Sequence, residues 1–319
     1  MSTARLFFRR SNHLPGSRKR WLLNRNAASM AVAILLTGCA LLAPWFAAAE
    51  DAPTLLQTWR GTNGDFLGPR GLCADSTGSV YVADTGRGRF QKFSSSGSFL
   101  AERSVDSDLA GPSPAPWDIA VGPDGHVYVS VGTHLLVYDA SLAYERGWLG
   151  SVDMHSLAVD PTGQFIFATY STNMYKYRIS DGALLGSWQY SAGFPISLGF
   201  GVGPSGNLYV ASSGFVQKFS TDGAFLGQWK PVGDAIAIAV DSQEHVYVTE
   251  GSAFAGKYDA AGTLLARWPV DGPDHVDLAV DGARNIYMLS SGAVTIYKFG
   301  NAAVPAVRKS WGTLKTLYR

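Results

Sequence analysis

Cysteine is scarce in this sequence, since 319 residues hold only Cys39 and Cys73. Two thiols this far apart exclude a disulfide framework and a zinc centre built on clustered cysteines. We expect Cys73 to be a small, buried apolar residue. A Gly-x-Ser-x-Gly nucleophile elbow is also absent, so no Ser-His-Asp hydrolase can be assembled by motif.

Charged residues are few as well, at 16% of the chain, and they are placed unevenly. Residues 1–49 hold seven basic residues and no acidic one, which leaves residues 50–319 with a net charge of −6. Nucleic-acid binding needs a concentrated basic surface that neutralises phosphates. The acidic body therefore predicts no nucleic-acid partner.

The N-terminal 49 residues have a basic segment followed by an apolar run over residues 27–49. This layout predicts an export signal that is cleaved after Ala49. The run is also long enough for an uncleaved membrane anchor with its basic side in the cytoplasm. A third alternative is lipidation of Cys39, because Leu36-Thr37-Gly38-Cys39 resembles a bacterial lipoprotein box. Each alternative places the body outside the cytoplasm, as a periplasmic, secreted or membrane-anchored protein.

A short phrase of β-branched and aromatic residues recurs six times after residue 50. Its central residues lie at 81, 128, 166, 209, 247 and 287, in steps of 47, 38, 43, 38 and 40 residues. A repeat of roughly 40 residues made of short strands is typical of a β-propeller blade. The six copies are Val80-Tyr81-Val82, Val127-Tyr128-Val129, Phe165-Ile166-Phe167, Leu208-Tyr209-Val210, Val246-Tyr247-Val248 and Ile286-Tyr287-Met288.

The pattern around each phrase predicts an all-β fold, a six-bladed propeller with four-stranded antiparallel blades over residues 50–303. Residues 304–319 are expected to form a C-terminal tail or an extra outer strand. Closure of the ring needs a strand from the other chain end. We expect Leu55–Trp59 to pair with Val294–Phe299, in competition with Val307–Trp311.

The first repeat resembles an NHL repeat in Gly64–Leu72, Gly78–Gly86 and Arg89–Phe93. This repeat is the unit of six-bladed propellers in tripartite-motif ligases and in many exported bacterial proteins, and the resemblance extends over about residues 55–300. It implies a surface that binds proteins or other ligands, without ligase activity, because the chain cannot supply the zinc domain. The Asp and Arg of the family's Asp-x-x-Asn-x-Arg feature are Asp84 and Arg89. At the position of Asp84, later repeats carry Val131, Thr169, Ser212, Glu250 and Ser290.

Five polar residues at inner-strand starts and second-strand ends are the candidates for a ligand-binding site at the mouth of the central channel. Carboxylate oxygens with one imidazole nitrogen could hold a divalent cation, which would polarise a lactone or ester carbonyl. The competing interpretation is structural, with turn-ordering and amide-binding carboxylates. We assign no catalytic residue and no metal ligand. The candidates are Asp84, Asp118, His155, Glu250 and Asp277.

These observations predict an exported, monomeric, non-enzymatic propeller without a cofactor, which binds a protein, peptide or glycan. One alternative is a metal-dependent hydrolase or lyase with its site at the central channel. Another is a membrane-tethered extracytoplasmic sensor domain. The longest step of the repeat contains a Pro-rich insertion at residues 104–116, and long loops often carry binding specificity.

Overall fold

The computed structural model describes residues 51–61, 65–106, 108–109, 115–190, 199–212, 214–251, 253–271 and 274–300. The signal, anchor and lipidation predictions for residues 1–49, with Ala49 and Cys39, lie outside these ranges. The same holds for the predicted tail at residues 304–319 and for Val307–Trp311. In the described ranges, no helix is long and apolar enough to cross a membrane.

The described residues form 24 strands in six antiparallel sheets of four, which are the six predicted blades. A single 3-10 turn, Thr85–Arg87, interrupts this all-β order in the described part. Blades 1 and 2 contain β2 (Gly71–Ala74), β3 (Val80–Asp84), β4 (Arg89–Phe93), β5 (Phe99–Ser104), β6 (Ile119–Val121), β7 (Val127–Val131), β8 (His134–Tyr138) and β9 (Tyr144–Leu149). Blades 3 and 4 contain β10 (Ser156–Val159), β11 (Phe165–Tyr170), β12 (Asn173–Arg178), β13 (Leu184–Gln189), β14 (Gly199–Val202), β15 (Leu208–Ser212), β16 (Phe215–Phe219) and β17 (Phe225–Trp229). Blade 5 contains β18 (Ala235–Val240), β19 (Val246–Glu250), β20 (Phe254–Tyr258) and β21 (Leu264–Pro269), and blade 6 contains β22 (His275–Val280), β23 (Ile286–Ser290), β24 (Thr295–Gly300) and β1 (Thr54–Trp59).

Blade 6 combines strands from both ends of the propeller. Strand β1 pairs antiparallel with β24, with Thr54 opposite Gly300 and Trp59 opposite Ile296. The predicted closure by Leu55–Trp59 is therefore confirmed. This pairing supplies blade 6 with an outer strand and joins the two chain ends in one sheet.

In blade 3, the predicted centre of the recurring phrase, Ile166, is one residue away from the position that the structure shows. Ala158 pairs with Phe167, as Cys73 pairs with Tyr81 in blade 1. The phrase is therefore centred on Phe167 and not on Ile166, because the turn after β10 is one residue longer than the turn after β2. As a result, Tyr170 and not Thr169 occupies the position of Asp84.

Each blade buries one second-strand aromatic ring against a neighbouring blade. These rings are at most 3% exposed. Each pairs across the sheet with a small inner-strand residue, which is glycine at position 201, cysteine at position 73 and alanine in the other four blades. In five blades a third-strand lysine lies 5.1 to 5.9 Å from the ring centroid. The rings are Tyr81, Tyr128, Phe167, Tyr209, Tyr247 and Tyr287, and the lysines are Lys92, Lys176, Lys218, Lys257 and Lys298.

Several of these lysines also bind the following blade. The Lys92 ammonium donates to the carbonyl of Ala140 in blade 2 at 2.9 Å, and Lys298 of blade 6 donates to Ser95 of blade 1 at 2.7 Å. Such a cation–π contact contributes about 0.5–2 kcal/mol, depending on its burial. The lysine thus covers its own ring and satisfies a turn carbonyl of the next sheet.

A second contact between blades joins an outer-strand tryptophan to a glycine in the next blade's outer turn. The four glycines have φ between 70° and 89°, a backbone conformation that favours glycine. A Cβ atom at any of them would come within 2.4–2.8 Å of the indole ring. The pairs are Trp59–Gly97, Trp148–Gly182, Trp188–Gly223 and Trp229–Gly262.

Blade 1 departs from this arrangement because Arg103 replaces the tryptophan. In the next blade, Leu142 takes the glycine position with a φ of 69°, and its side chain is buried in the same cluster as Val105. The Arg103 guanidinium binds the Asp108 carboxylate at 2.5 Å, and Asp108 also accepts from the Tyr138 hydroxyl at 2.9 Å. These bonds anchor the start of the insertion to blades 1 and 2.

The tryptophan–glycine contact predicts that Gly223→Ala destabilises the protein more than Gly125→Ala does. Both glycines have a φ near 85°, so each alanine strains the backbone by about 1–2 kcal/mol. A Cβ at Gly125 lies 3.7 Å from its nearest neighbour, whereas one at Gly223 lies 2.6 Å from Trp188. The clash should lower the free energy of unfolding by about 1–3 kcal/mol more, as measured in urea. Equal losses for the two variants would contradict this contact.

Candidate functional site

The six inner strands surround a central cavity of about 530 Å³. Where these strands end, the wall is apolar, with Ala74, Val121, Val159, Val202, Val240 and Val280. Where they begin, the lining includes charged, polar and aromatic side chains. We call this end the channel mouth, and define it by Arg70, Trp117, Asp118, His155, Ser156 and Asp277.

Asp118 and Asp277 occupy equivalent positions in blades 2 and 6, each two residues before the inner-strand alanine that pairs with the buried tyrosine of the second strand. The Asp118 carboxylate accepts the amide of Ile119 at 2.7 Å and the amide of Leu157 in blade 3 at 2.6 Å. Asp277 accepts the amide of Leu278 at 2.8 Å and that of Leu72 in blade 1 at 2.6 Å. Each carboxylate binds backbone amides, as the structural interpretation predicted, and in doing so it also joins two neighbouring blades.

Burial dominates the electrostatics of this pair. It raises the pKa of Asp118 to about 7, against the lowering effect of the two amides. Burial also raises the pKa of Asp277, and the charge of Asp118 adds to that rise. Between them, Cys73 lines the cavity wall at a position where sister blades carry alanine or glycine. Burial, with the nearby carboxylates, raises the pKa of its thiol, which keeps it in the unreactive neutral form.

Asp84 and Glu250 are not among the described residues that line the cavity. The buried Asp84 carboxylate accepts from the Leu67 amide at 2.7 Å and pairs with Arg89 at 2.9 Å. The buried Glu250 carboxylate pairs with Arg267 at 2.7 Å and accepts from the Tyr258 hydroxyl. Two of the five candidates therefore lie away from the channel mouth, because their side chains form arginine pairs within their own blades.

His155 lies at the channel mouth in an aromatic stack. Its ring is stacked on Trp117 with centroids 4.7 Å apart and planes at 14°, and the Tyr170 ring meets it edge-on at 5.1 Å. The Arg70 guanidinium lies 4.1 Å from the Trp117 ring centroid. Burial lowers the pKa of His155; nearby Asp153 raises it and Arg70 lowers it. We name Arg70, Trp117, His155 and Tyr170, from three successive blades, the mouth stack.

Three members of the mouth stack were not candidates in the sequence. The sequence could have indicated Trp117, because it precedes an inner strand, whereas the other tryptophans of the described residues lie in outer strands. Tyr170 becomes visible only after the register of blade 3 is corrected. Arg70 precedes an inner strand in a loop, where single arginines are common and carry no specific signal.

The predicted donor set does not fit a divalent cation in this arrangement. Asp118 and Asp277 use both carboxylate oxygens on backbone amides, and Asp84 and Glu250 lie elsewhere. Among the residues that the structure describes, no group of three or more His, Cys, Asp or Glu side chains is placed to hold a metal ion.

Comparison with known proteins bears on blade 1 of the fold. The six four-stranded sheets define a six-bladed β-propeller. Residues 66–93 match the family model of the NHL repeat, so blade 1, with Asp84 and Arg89, carries the repeat that its sequence resembled. No curated protein matches the chain.

The raised pKa of Asp118 predicts a pH dependence of stability. An unfolded aspartate loses its proton near pH 4, whereas folded Asp118 keeps it up to about pH 7. The folded state therefore binds more protons across this window, and the free energy of unfolding falls as the pH rises from 4 to 7.

Urea unfolding at a series of pH values tests this dependence. Asp118→Asn should flatten the slope between pH 4 and 7. Asp139→Asn is the control, because hydrogen bonds from Ser141 and Ala143 lower the pKa of Asp139, so its titration affects stability only below this pH range. An unchanged slope in Asp118→Asn would contradict the raised pKa.

Proposed function

We propose that this protein is an exported, non-enzymatic propeller that binds a protein, peptide or glycan ligand at the channel mouth. The mouth stack is the observation that carries the proposal. It brings a cation and three ring systems from three blades to the edge of a cavity of about 530 Å³. A concave surface with aromatic walls and a few oriented polar groups is typical of ligand sites.

The distribution of the other polar groups supports binding rather than catalysis. Asp118 and Asp277 are held by amides of two blades each, and Asp84 and Glu250 are held by arginines. A carboxylate used as a general base or nucleophile would have to give up those bonds, at a cost of about 1–3 kcal/mol per amide left unpaired.

Export is the part of the proposal that rests on sequence alone. The basic segment and the apolar run over residues 27–49 support a secreted, periplasmic or anchored location. The acidic body supports a partner other than nucleic acid.

The proposal predicts that Trp117→Ala weakens ligand binding at least tenfold. Full-length protein would be screened against peptide and glycan panels, and the dissociation constant of each binder measured for the variant. Truncation removes the ring that orders Arg70 and His155. Phe225→Ala is the matched control, since it removes an aromatic ring that is 57% exposed on the outer strand β17.

Two results would contradict the proposal. One is a ligand whose affinity depends on Phe225 and not on Trp117, with both variants folded by circular dichroism. The other is turnover of a lactone, ester or peptidyl substrate by the purified protein, which would make it an enzyme.

A further inference from the structure

We infer that the Arg70 guanidinium is the recognition group for a carboxylate on the ligand. The inference rests on the proposed function and deepens it, because it names the chemical group that enters the channel mouth. Arg70 is exposed and lines the central cavity. It precedes the first inner strand and is fixed to its place by the backbone bond from its amide to the Ala83 carbonyl, at 3.1 Å.

Among the residues that the structure describes, the Arg70 guanidinium has no acidic partner. It forms no ion pair and no side-chain hydrogen bond with any residue that the structure describes. Apart from Glu50, the residues outside the described ranges include no acidic side chain. Other arginines of blade 1 differ, since Arg89 pairs with Asp84 and Arg103 pairs with Asp108.

Arg70 is nevertheless held in one place by aromatic contact. Its guanidinium carbon is 4.1 Å from the Trp117 ring centroid, and Trp117 is itself stacked on His155. The N–H donors of a guanidinium form a planar fork that matches the two oxygens of a carboxylate. Such preorganisation lowers the entropic cost of a bidentate contact.

The charges around the cavity favour a singly charged carboxylate over a phosphate. Asp118 and Asp277 line the same cavity, and the fraction of them that is ionised at neutral pH repels a dianion more strongly than a monoanion. Burial lowers the pKa of His155, and the opposing charge of Asp153 and the charge of Arg70 leave it below its ordinary value, so at neutral pH the imidazole adds no second cation. The mouth stack therefore offers one positive charge.

A carboxylate can come from a uronic acid of a glycan or from the C-terminus of a peptide. The probes are galacturonate, which carries one carboxylate, and a tripeptide with a free C-terminus, each with a partner that lacks the carboxylate charge, the methyl ester and the C-terminal amide. Inorganic phosphate is the third anion. Binding to full-length protein is followed by NMR through the ring protons of His155, with His245 as reference, because His245 is bonded to Asp241 in a turn at the other ends of the inner strands.

We expect at least one carboxylate probe to shift the His155 signal, and its ester or amide partner to bind at least tenfold more weakly. Arg70→Gln should weaken that binding at least tenfold. Arg284→Gln, which removes an exposed guanidinium from an inner-strand turn at the opposite end, should leave it unchanged. The carboxylate probe that binds identifies the source of the group.

The inference is overturned if no carboxylate probe binds, if the ester or amide partner binds equally well, if phosphate binds more tightly, or if Arg70→Gln has no effect. Failure of the proposed function is a separate outcome. A panel ligand that needs Trp117 but not Arg70 would leave the proposed function standing and remove only this inference.

Discussion

The structure depends on burying one aromatic ring per blade between neighbouring sheets. Five of the six rings are tyrosines, and a buried hydroxyl needs a hydrogen-bond acceptor. Tyr287 donates to Asp281 at 2.8 Å, Tyr247 to Asp241 at 3.1 Å, and Tyr209 to Glu244 of the next blade at 2.9 Å. This constraint accounts for the small inner-strand residues, the acidic turns and the lysines above the rings.

The same contacts close the ring. Blade 6 reaches blade 1 through Asp277 to the Leu72 amide, through Lys298 to the Ser95 carbonyl and through Trp59 on Gly97. Since blades elsewhere use the same kinds of contact, the last interface resembles the internal ones. Of the five candidates from the sequence, the four acids bind backbone amides or arginines of the scaffold, and His155 belongs to the mouth stack.

Most of the fold was predictable because the same strand and turn pattern occurs six times in the sequence. Short apolar strands between Gly- and Asp-rich turns predicted the four-stranded blades. The outer-strand pattern of Leu55–Trp59 predicted that this segment closes the ring. Blade 3 was misaligned because Phe165, Ile166 and Phe167 are all apolar, so the composition of the phrase does not reveal a turn lengthened by one residue. The mouth stack was missed because Arg70, Trp117 and His155 meet only through the curvature of the ring.

The central claim is that the residues that recur in each blade stabilise the propeller, and that ligand binding occurs at the channel mouth. Hydrogen–deuterium exchange of the full-length protein, with and without the tightest binder of the panels, tests it most directly. The account predicts ligand-dependent protection in residues 65–70, 115–118, 153–156 and 170–173. Protection confined to the outer strands, where Phe99, Leu184 and Phe225 are exposed, would contradict it and place the binding surface on the rim.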